Sequence, residues 1–174
     1  MAGMQRPWFA RFRKRKLNNL YLVSRVLAVN ILLDRMTKYL AVEFLKGRPN
    51  IGILFDSIVL GYVENTGAFL GLGSDWNIHV KYVFLIIVPM IICVVVIFFS
   101  IFKSVDKKKL ILVITVAAGG LSNLIDRLFN SFAVIDFLNF GIGNLRTGVL
   151  NVADLSVTFG AALFVMVEFK NGKD

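Results

Sequence analysis

The sequence predicts an all-α membrane protein with four transmembrane helices and a small β-rich element outside the membrane. Of its 174 residues, 57% are hydrophobic, and the mean hydropathy of +0.73 exceeds that of ordinary soluble domains. Apolar runs long enough to cross a bilayer recur along the chain, and clusters of basic residues flank them. The chain is too short for two sizeable domains, so we expect one membrane domain.

Residues 1–19 are strongly basic and contain no acidic side chain, which predicts a cytoplasmic N-terminal arm. Their aromatic residues would allow the arm to lie on the membrane surface as an amphipathic helix, and a solvated tail is the alternative. The apolar segment that follows ends at Asp34 and Arg35 and has no small-residue cleavage pattern. We therefore expect the first span to be retained rather than removed as a secretory signal.

The first predicted span runs from Leu20 to Leu45, which is long enough because a helix needs about 20 residues to cross the bilayer core. It is polar for a span, since it contains Asp34, Arg35 and Lys38. Asp34 and Lys38 are four residues apart and share one helical face. We place them near the far end of the span, where Lys can reach the interface. An ion pair at the membrane boundary would explain both residues without any chemistry.

Residues 46–78 differ in kind from the spans. Gly and Pro residues interrupt short β-prone pieces such as Ile58–Leu60 and Tyr62–Val63, which predicts a small, partly sheet-like element outside the membrane. The element contains a polar turn at residues 64–69 between apolar strands. Taken alone, this Asn-Thr-Gly turn is ordinary hairpin chemistry.

The second span, Tyr82–Phe99, is the clearest, because its 18 residues contain no charge. Pro89 is placed to kink it. The third span begins at Leu110, after a basic loop, and becomes polar at Asn123. Residues 130–150 are predicted to form a second extracytoplasmic loop.

The fourth span runs from about Asn151 to Phe169, and a short tail follows at residues 170–174. Four spans with a cytoplasmic start return the C-terminus to the cytoplasm, and residues 20–169 form the membrane domain. All three basic clusters then lie inside and both Gly-rich loops lie outside. The membrane surface therefore accounts for the net charge of +9. Nucleic acid is not an expected partner, because no basic patch is interleaved with stacking aromatic residues.

The segment between Gly119 and Asp154 concentrates polar side chains beside apolar spans, where they are costly to keep. These polar residues are Asn123, Asp126, Arg127, Asp136, Asn151 and Asp154. Asp136 is anomalous, because it lies within the apolar run 133–138. We expect this loop to dip to the membrane surface and to point the acid inward. Asn151 is placed to cap the fourth helix, and Gly119 and Gly120 allow a neighbouring helix to approach closely.

The predicted topology places Asp126, Asp136 and Asp154 at the outer membrane face. Two carboxylates at one partly buried site suit acid–base chemistry on a water molecule, with one acid protonated and the other ionised. The pattern alone does not choose among catalysis, ion-pair scaffolding and a proton path, nor does it single out two of the three acids. One Cys and one His do not predict a metal site.

Five segments of the chain match, in order, the segments of a known family. They are Asp34-Arg35-Met36-Thr37-Lys38, Glu64-Asn65-Thr66-Gly67-Ala68-Phe69, Gly119-Gly120 with Asn123-Leu124-Ile125-Asp126-Arg127, Val134-Ile135-Asp136-Phe137 and Asn151-Val152-Ala153-Asp154. On these segments the chain resembles the lipoprotein signal peptidases, which are the type II signal peptidases of bacteria, over roughly residues 20–169. Five segments in order on a four-span, basic-inside chain make the resemblance specific.

The resemblance implies an aspartic endopeptidase of the bacterial inner membrane, with both termini cytoplasmic and the active site at the extracytoplasmic face. Such an enzyme removes signal peptides from diacylglyceryl-modified prolipoproteins by cutting before the lipidated cysteine. The implied partners are this substrate, membrane lipids and the inhibitor globomycin. No cofactor and no metal are implied.

The resemblance also implies that Asp136 and Asp154 are the catalytic pair. The residues that it implies bind substrate or support the pair are Asp34, Lys38, Asn65, Gly67, Asn123, Asp126, Arg127 and Asn151. Leu150 stands where the family often has Phe, and Ala68 is the single small residue where two are common. These departures concern fine contacts and remove no catalytic group.

Two other classes of protein compete with a peptidase. A proton-coupled transporter would distribute polar residues along a path through the membrane, whereas here they collect at one face. A non-catalytic interaction protein with structural ion pairs would not explain why Asp136 lies within an apolar loop.

Overall fold

A computed structural model describes residues 7–103 and 106–171, so parts of the predicted arm and tail, residues 1–6 and 172–174, lie outside the described chain. The elements in order are α1 (Pro7–Leu45), β1 (Ile51–Ile53), β2 (Ile58–Asn65), a 3-10 turn (Phe69–Gly71), α2 (Ile78–Phe102), α3 (Lys107–Phe129), β3 (Val134–Ile142), β4 (Leu145–Leu150) and α4 (Val152–Asn171). The fold is mostly helical and includes a small antiparallel sheet.

Helix α1 is one continuous helix of 39 residues. At 1.5 Å per residue it is roughly 58 Å long, about twice the thickness of a bilayer core. Residues 7–19, predicted as a basic arm, belong to this helix. The side chain of Asn19 donates to the carbonyl oxygens of Ser100 and Ile101 at 3.3 and 3.4 Å. These bonds satisfy carbonyl groups at the end of α2 and join α1 to α2.

Among the described helices, three are long and apolar enough to cross a membrane, namely α2, α3 and α4. In α2 a π-helical turn, Tyr82–Ile87, directly precedes the segment that contains Pro89. Proline has no N–H and its ring crowds the carbonyl four residues earlier, so a wider turn relieves the clash at the position where the sequence suggested a kink.

Helix α3 packs against each of the other three helices. Its residues Leu110 and Ile114 form a buried cluster with Val23 of α1. Further along, α3 approaches α4 closely at Gly119, where a Cβ atom would lie 2.5 Å from the carbonyl oxygen of Ala153. The predicted close helix approach at Gly119 is therefore confirmed.

The two segments that were predicted to lie outside the membrane together form one four-stranded antiparallel sheet in the order β1-β2-β3-β4. In the β2–β3 pair, Val63 lies opposite Asp136 and Asn65 lies opposite Val134, with a bulge between Leu60 and Val63. The predicted β-rich element is confirmed over β1 and β2. Residues 130–150 were predicted to be a loop, but most of them form the β3–β4 hairpin.

A second buried cluster attaches the sheet to the helices. Phe137 of β3 packs with Ala41 and Leu45 at the end of α1. Strand β3 is therefore covered on one face by α1, while Asp136 on its other face is also buried. A strand buried on both faces lacks the alternation of apolar and polar residues that identifies strands in sequence.

Candidate active site

The two acids of the predicted pair lie on different elements and line the same cavity. Asp136 lies on β3 and is 2% exposed, and Asp154 lies in the first turn of α4. The cavity has a volume of about 290 Å³, and its other predicted site residues are Asn65, Asn123 and Arg127. The expectation that Asp136 points inward is confirmed, although it does so from a strand.

Asn151 connects the two acids. Its side-chain oxygen accepts a hydrogen bond from the backbone N–H of Asp154 at 2.8 Å, and Asp154 Oδ2 accepts one from the Asn151 N–H at 3.1 Å. This reciprocal pair is a capping box at the start of α4, so the predicted cap is confirmed. The Asn151 Nδ2 donates to Asp136 Oδ1 at 2.6 Å. The residue that begins the helix thus also orients the buried acid.

Two further amides complete the hydrogen bonding of the acids. Asn123 Nδ2 donates to Asp154 Oδ1 at 2.8 Å, and Asn65 Nδ2 donates to Asp136 Oδ2 at 3.1 Å. Each of the four carboxylate oxygens therefore accepts one hydrogen bond. Within residues 7–103 and 106–171, no Lys or Arg forms an ion pair with either acid.

The environment of Asp136 favours its protonated form. Burial, together with the nearby charge of Asp154, raises the pKa of Asp136 from 3.8 to about 6, although hydrogen bonds from Asn65 and Asn151 act in the opposite direction. An acid with a pKa near neutrality can both donate and accept a proton at physiological pH. The geometry and the pKa of Asp136 are therefore suited to acid–base chemistry.

A buried ionic network lies beside the two acids. Lys38 Nζ lies 2.8 Å from Asp34 Oδ2 and 2.8 Å from Asp126 Oδ2, and it donates to Asn123 Oδ1 at 2.9 Å. Arg35 forms an ion pair with the second oxygen of Asp126 at 2.5 Å. The predicted pair of Asp34 and Lys38 is confirmed. The expectation that Lys38 reaches the interface is wrong, because its side chain is 2% exposed and is held between two carboxylates.

Asp34 connects this network to the start of α4. It accepts hydrogen bonds from Ser122 Oγ at 2.5 Å and from the backbone N–H of Ala153 at 2.9 Å. The first N–H groups of a helix have no partner within the helix, so Asp34 satisfies one of them. Ser122 and Arg35 were not predicted as members of the site. The sequence feature that could have identified them is position, because Ser122 precedes Asn123 and Arg35 follows Asp34 in otherwise apolar sequence.

The polar turn at residues 64–69 lines the cavity through Asn65, Ala68 and Phe69. Arg127 Nη2 donates to the carbonyl oxygen of Gly67 at 2.6 Å, and the Gly67 N–H donates to Asn65 Oδ1 at 3.0 Å. A Cβ atom on Gly67 would lie 2.5 Å from the backbone of Gly71, which explains the requirement for glycine. Phe69 lines the cavity from this turn and is 71% exposed.

The site brings together every residue of the predicted set. Asn65, Asn123 and Asn151 contact the two acids, while Asp34, Lys38 and Asp126 form the adjacent network. Among the described residues, no group of three or more His, Cys, Asp or Glu side chains is placed to hold a metal ion.

A cavity between helices and sheet that is lined by two carboxylates is an arrangement suited to an aspartic peptidase. A family model described as signal peptidase (SPase) II matches residues 26–170. The chain belongs to this family and is a protease.

Curated relatives agree with the family model. The chain is 35% identical over 159 residues to the lipoprotein signal peptidase of Borrelia duttonii (strain Ly). This alignment covers 87% of this chain and 93% of the relative. It is 33% identical over 144 residues to the lipoprotein signal peptidase of Pasteurella multocida (strain Pm70), covering 83% of this chain and 86% of the relative.

Two solved structures of bacterial membrane enzymes share the fold. One has a TM-score of 0.73 and 24% sequence identity, and the alignment covers 86% of this chain and 88% of the chain in that structure. The other has a TM-score of 0.68 and 21% identity, with coverage of 84% and 91%. The helical bundle with its attached sheet is therefore an arrangement already seen in membrane enzymes.

Proposed function

We propose that Asp136 and Asp154 are the catalytic dyad with which this protein cleaves prolipoproteins before their diacylglyceryl-modified cysteine. Membership of the signal peptidase II family makes the protein a peptidase that processes prolipoproteins. One observation carries the assignment of the dyad: the two acids are joined through Asn151, line one cavity and form no ion pair within the described chain.

In the proposed reaction, the ionised acid of the dyad takes a proton from a water molecule, and the water oxygen attacks the carbonyl carbon of the scissile peptide bond. The protonated acid donates to the carbonyl oxygen. The tetrahedral intermediate then collapses, the C–N bond breaks, and a proton passes to the amine of the lipidated cysteine. Because close carboxylates titrate as a unit, the two protonation states belong to the pair.

The surrounding polar residues act by holding the dyad and the turn that lines the cavity. Asn65, Asn123 and Asn151 each direct an amide at a dyad oxygen. Arg127 and Gly67 fix the turn that borders the cavity, and this turn would cover a bound peptide. Asp34, Lys38 and Asp126 fix the position of Asn123 and the first turn of α4.

The membrane placement is also part of the proposal. Helix α1 would cross the membrane in addition to α2, α3 and α4, which makes four spans. Its charged residues Asp34 and Lys38 do not oppose this, because they face the bundle interior. The exposed residues of the same stretch are aliphatic or aromatic, namely Leu32, Leu33, Met36, Tyr39 and Leu40. Apolar side chains facing outward suit contact with lipid.

The proposed membrane domain is residues 20–169, with residues 1–19 and 170–174 in the cytoplasm. This orientation in the inner membrane places the basic ends inside and the dyad and the sheet outside. Membrane lipids and globomycin-type inhibitors are the further proposed partners.

The test is cleavage of a diacylated lipopeptide by the detergent-solubilised protein, with and without globomycin. Asp136→Asn and Asp154→Asn should each lower the turnover number at least about 100-fold, because each removes a proton-transfer group. Asp126→Asn is the matched control, and it should mainly lower stability, since Asp126 pairs with Arg35 and Lys38. Near-normal cleavage by either dyad variant would refute the assignment, as would complete loss in a normally folded Asp126→Asn.

A further inference from the structure

Four large apolar side chains are exposed at the end of the sheet that lies away from the dyad. They are Leu54 and Phe55 in the β1–β2 turn, and Ile142 and Leu145 on either side of the β3–β4 turn. Their exposed fractions lie between 65% and 106%. The two turns are neighbours, because Arg146 Nη1 donates to the carbonyl oxygen of Asp56 at 2.8 Å. We call these four residues the sheet tip.

The β1–β2 turn presents its apolar side chains from a strained backbone. The φ angles of Leu54, Phe55 and Asp56 are 51°, 55° and 61°, and bulky residues rarely adopt this left-handed region. Glycine would relieve the strain but would place no apolar side chain outside the protein. Strain that is kept in this way is typical of functional segments, so the exposed Leu54 and Phe55 call for a partner.

Behind the tip, the outer half of the sheet has one apolar face and one polar face. Residues that pair directly across neighbouring strands share a face. The pairs on one face join only apolar residues, namely Ile51 with Leu60, Leu60 with Leu138, Ile53 with Ile58, and Ile58 with Phe140. Ile142 follows Phe140 by two positions and continues this face. The opposite face carries Gly52, Val59 and Asn139, and Arg146 donates to the side chain of Asn139 there.

The apolar face is covered near the helices and uncovered further out. Leu60 and Leu138 pack against the buried cluster at the end of α1. Ile51 and Ile53, nearer the edge and the tip, are exposed. Because the covered part of the face contacts a helix end, the uncovered part faces the side of the helices but lies outside the bundle.

The end of α1 also indicates the depth at which the sheet lies. Tyr39 and Phe44 are exposed on the last turns of this helix, and exposed aromatic residues are enriched at the membrane–water interface. The sheet packs against the same end of α1, so its uncovered apolar face lies near the depth of the interface. A large exposed apolar patch marks an interaction site, and beside a membrane-spanning helix the neighbour at this depth is lipid.

We propose that the sheet tip and the apolar face behind it insert into the outer leaflet of the bilayer, at the boundary between headgroups and acyl chains. The proposal rests on the proposed function, because it takes the sheet to lie at the outer membrane face. The apolar area that is buried supplies the binding, while the polar face with Arg146 remains in water. Strands β2 and β3 carry Asn65 and Asp136 near their other ends, so a tip held in lipid would fix the height of the dyad above the bilayer.

The test is quenching of tryptophan fluorescence by lipids with brominated acyl chains. The protein is reconstituted into phosphatidylcholine–phosphatidylglycerol vesicles, with its two native tryptophans replaced by Trp8→Phe and Trp76→Phe. Phe55→Trp then places a single tryptophan at the tip. Leu33→Trp places one on the exposed surface of α1, which contacts lipid if α1 spans the membrane. We expect both probes to lose most of their fluorescence in brominated vesicles relative to ordinary ones.

Val59→Trp is the matched control, because Val59 belongs to the same hairpin but lies on the polar face, beside a cavity of about 730 Å³ that has room for the ring. Its fluorescence should be nearly the same in both kinds of vesicle. If Phe55→Trp does not fold, Leu145→Trp makes the same measurement from the neighbouring turn.

Two results would overturn the insertion of the tip alone. One is a folded tip probe that is not quenched while Leu33→Trp is, since the tip would then face water or another protein. The other is equal quenching of Phe55→Trp and Val59→Trp, which would show no preference for the apolar face. An unquenched Leu33→Trp would overturn the membrane placement and the tip insertion together. Quenching of the tip in a protein whose wild type does not cleave the diacylated lipopeptide would support the insertion and overturn the proposed function.

Discussion

Replacing Lys38 by Met should destabilise the protein strongly, because Lys38 is the cation at the centre of the buried network. Its side chain is 2% exposed and lies 2.8 Å from a carboxylate oxygen of Asp34 and 2.8 Å from one of Asp126. Met has a similar length and no charge, so the substitution removes the charge with little change in volume.

The size of the effect follows from the balance of attraction and desolvation. At 2.8 Å and an effective dielectric constant of about 20, each ion pair contributes roughly 6 kcal/mol of attraction. The cost of burying the charges offsets much of this. In Lys38→Met, Asp126 keeps its pair with Arg35, while Asp34 keeps only hydrogen bonds from Ser122 and Ala153. One buried carboxylate is then uncompensated, and we expect a loss of about 3–5 kcal/mol.

Equilibrium unfolding in mixed detergent micelles, followed by circular dichroism, measures this loss. Lys46→Met is the matched control, because Lys46 also pairs with a carboxylate, that of Glu64, but both side chains are largely exposed. The control should leave the free energy of unfolding unchanged. Asp34→Asn combined with Lys38→Met removes both charges of one pair, so the double variant should be more stable than Lys38→Met alone.

The reasoning is refuted if Lys38→Met lies within about 1 kcal/mol of the wild type. It is also refuted if the double variant is no more stable than the single one, since the loss would then not come from an uncompensated charge.

Two further outcomes follow from burial at other positions. Because the pKa of Asp136 is raised from 3.8 to about 6 in the folded state, the stability that this acid contributes is present at low pH and is lost as pH rises through about 6. The side chain in Asp136→Asn does not ionise, so the free energy of unfolding of this variant should rise relative to that of the wild type by up to about 3 kcal/mol between pH 4 and 8. A difference in the free energy of unfolding that stays constant over this pH range would contradict the prediction. Gly119→Ala should lower stability by about 1–3 kcal/mol, since its Cβ would lie 2.5 Å from the Ala153 carbonyl oxygen. Gly120→Ala, whose Cβ meets only a sulfur atom at 3.1 Å, should cost less, and the reverse order in thermal unfolding would show that α3 and α4 do not pack as described.

The helices and the polar residues could be predicted from the sequence because both depend on local patterns. Charge-free apolar runs identify spans whatever surrounds them, and Asn151 three residues before Asp154 is a capping pattern in any context. The polar cluster between Asn123 and Asp154 could therefore be recognised as a candidate site, since a polar residue beside an apolar span needs a partner. The inclusion of Asn65 and Gly67 came only from the family resemblance.

Features that depend on distant contacts could not be predicted in this way. Strand β3 reads as an apolar run because α1 covers one of its faces and the site covers the other. The inward position of Lys38 depends on Asp126, which is 88 residues away in the chain. The sequence indicates the secondary structure and the exposure that each residue prefers locally. It does not indicate which distant residue will contact it and change that preference.

The partners also separate Asp126 from the other two acids, which the pattern of residues does not do. Asp126 pairs with Arg35 through one oxygen, and its other oxygen binds Lys38 and the backbone N–H of Ile135. Both oxygens of Asp126 are thus paired with cations, whereas within the described residues no Lys or Arg forms an ion pair with Asp136 or Asp154. Asp136 and Asp154 accept one amide hydrogen bond on each oxygen, so a lone pair remains at each. Neutral amides orient these two acids without fixing their charge, and this is the condition that the proposed proton exchange with water requires.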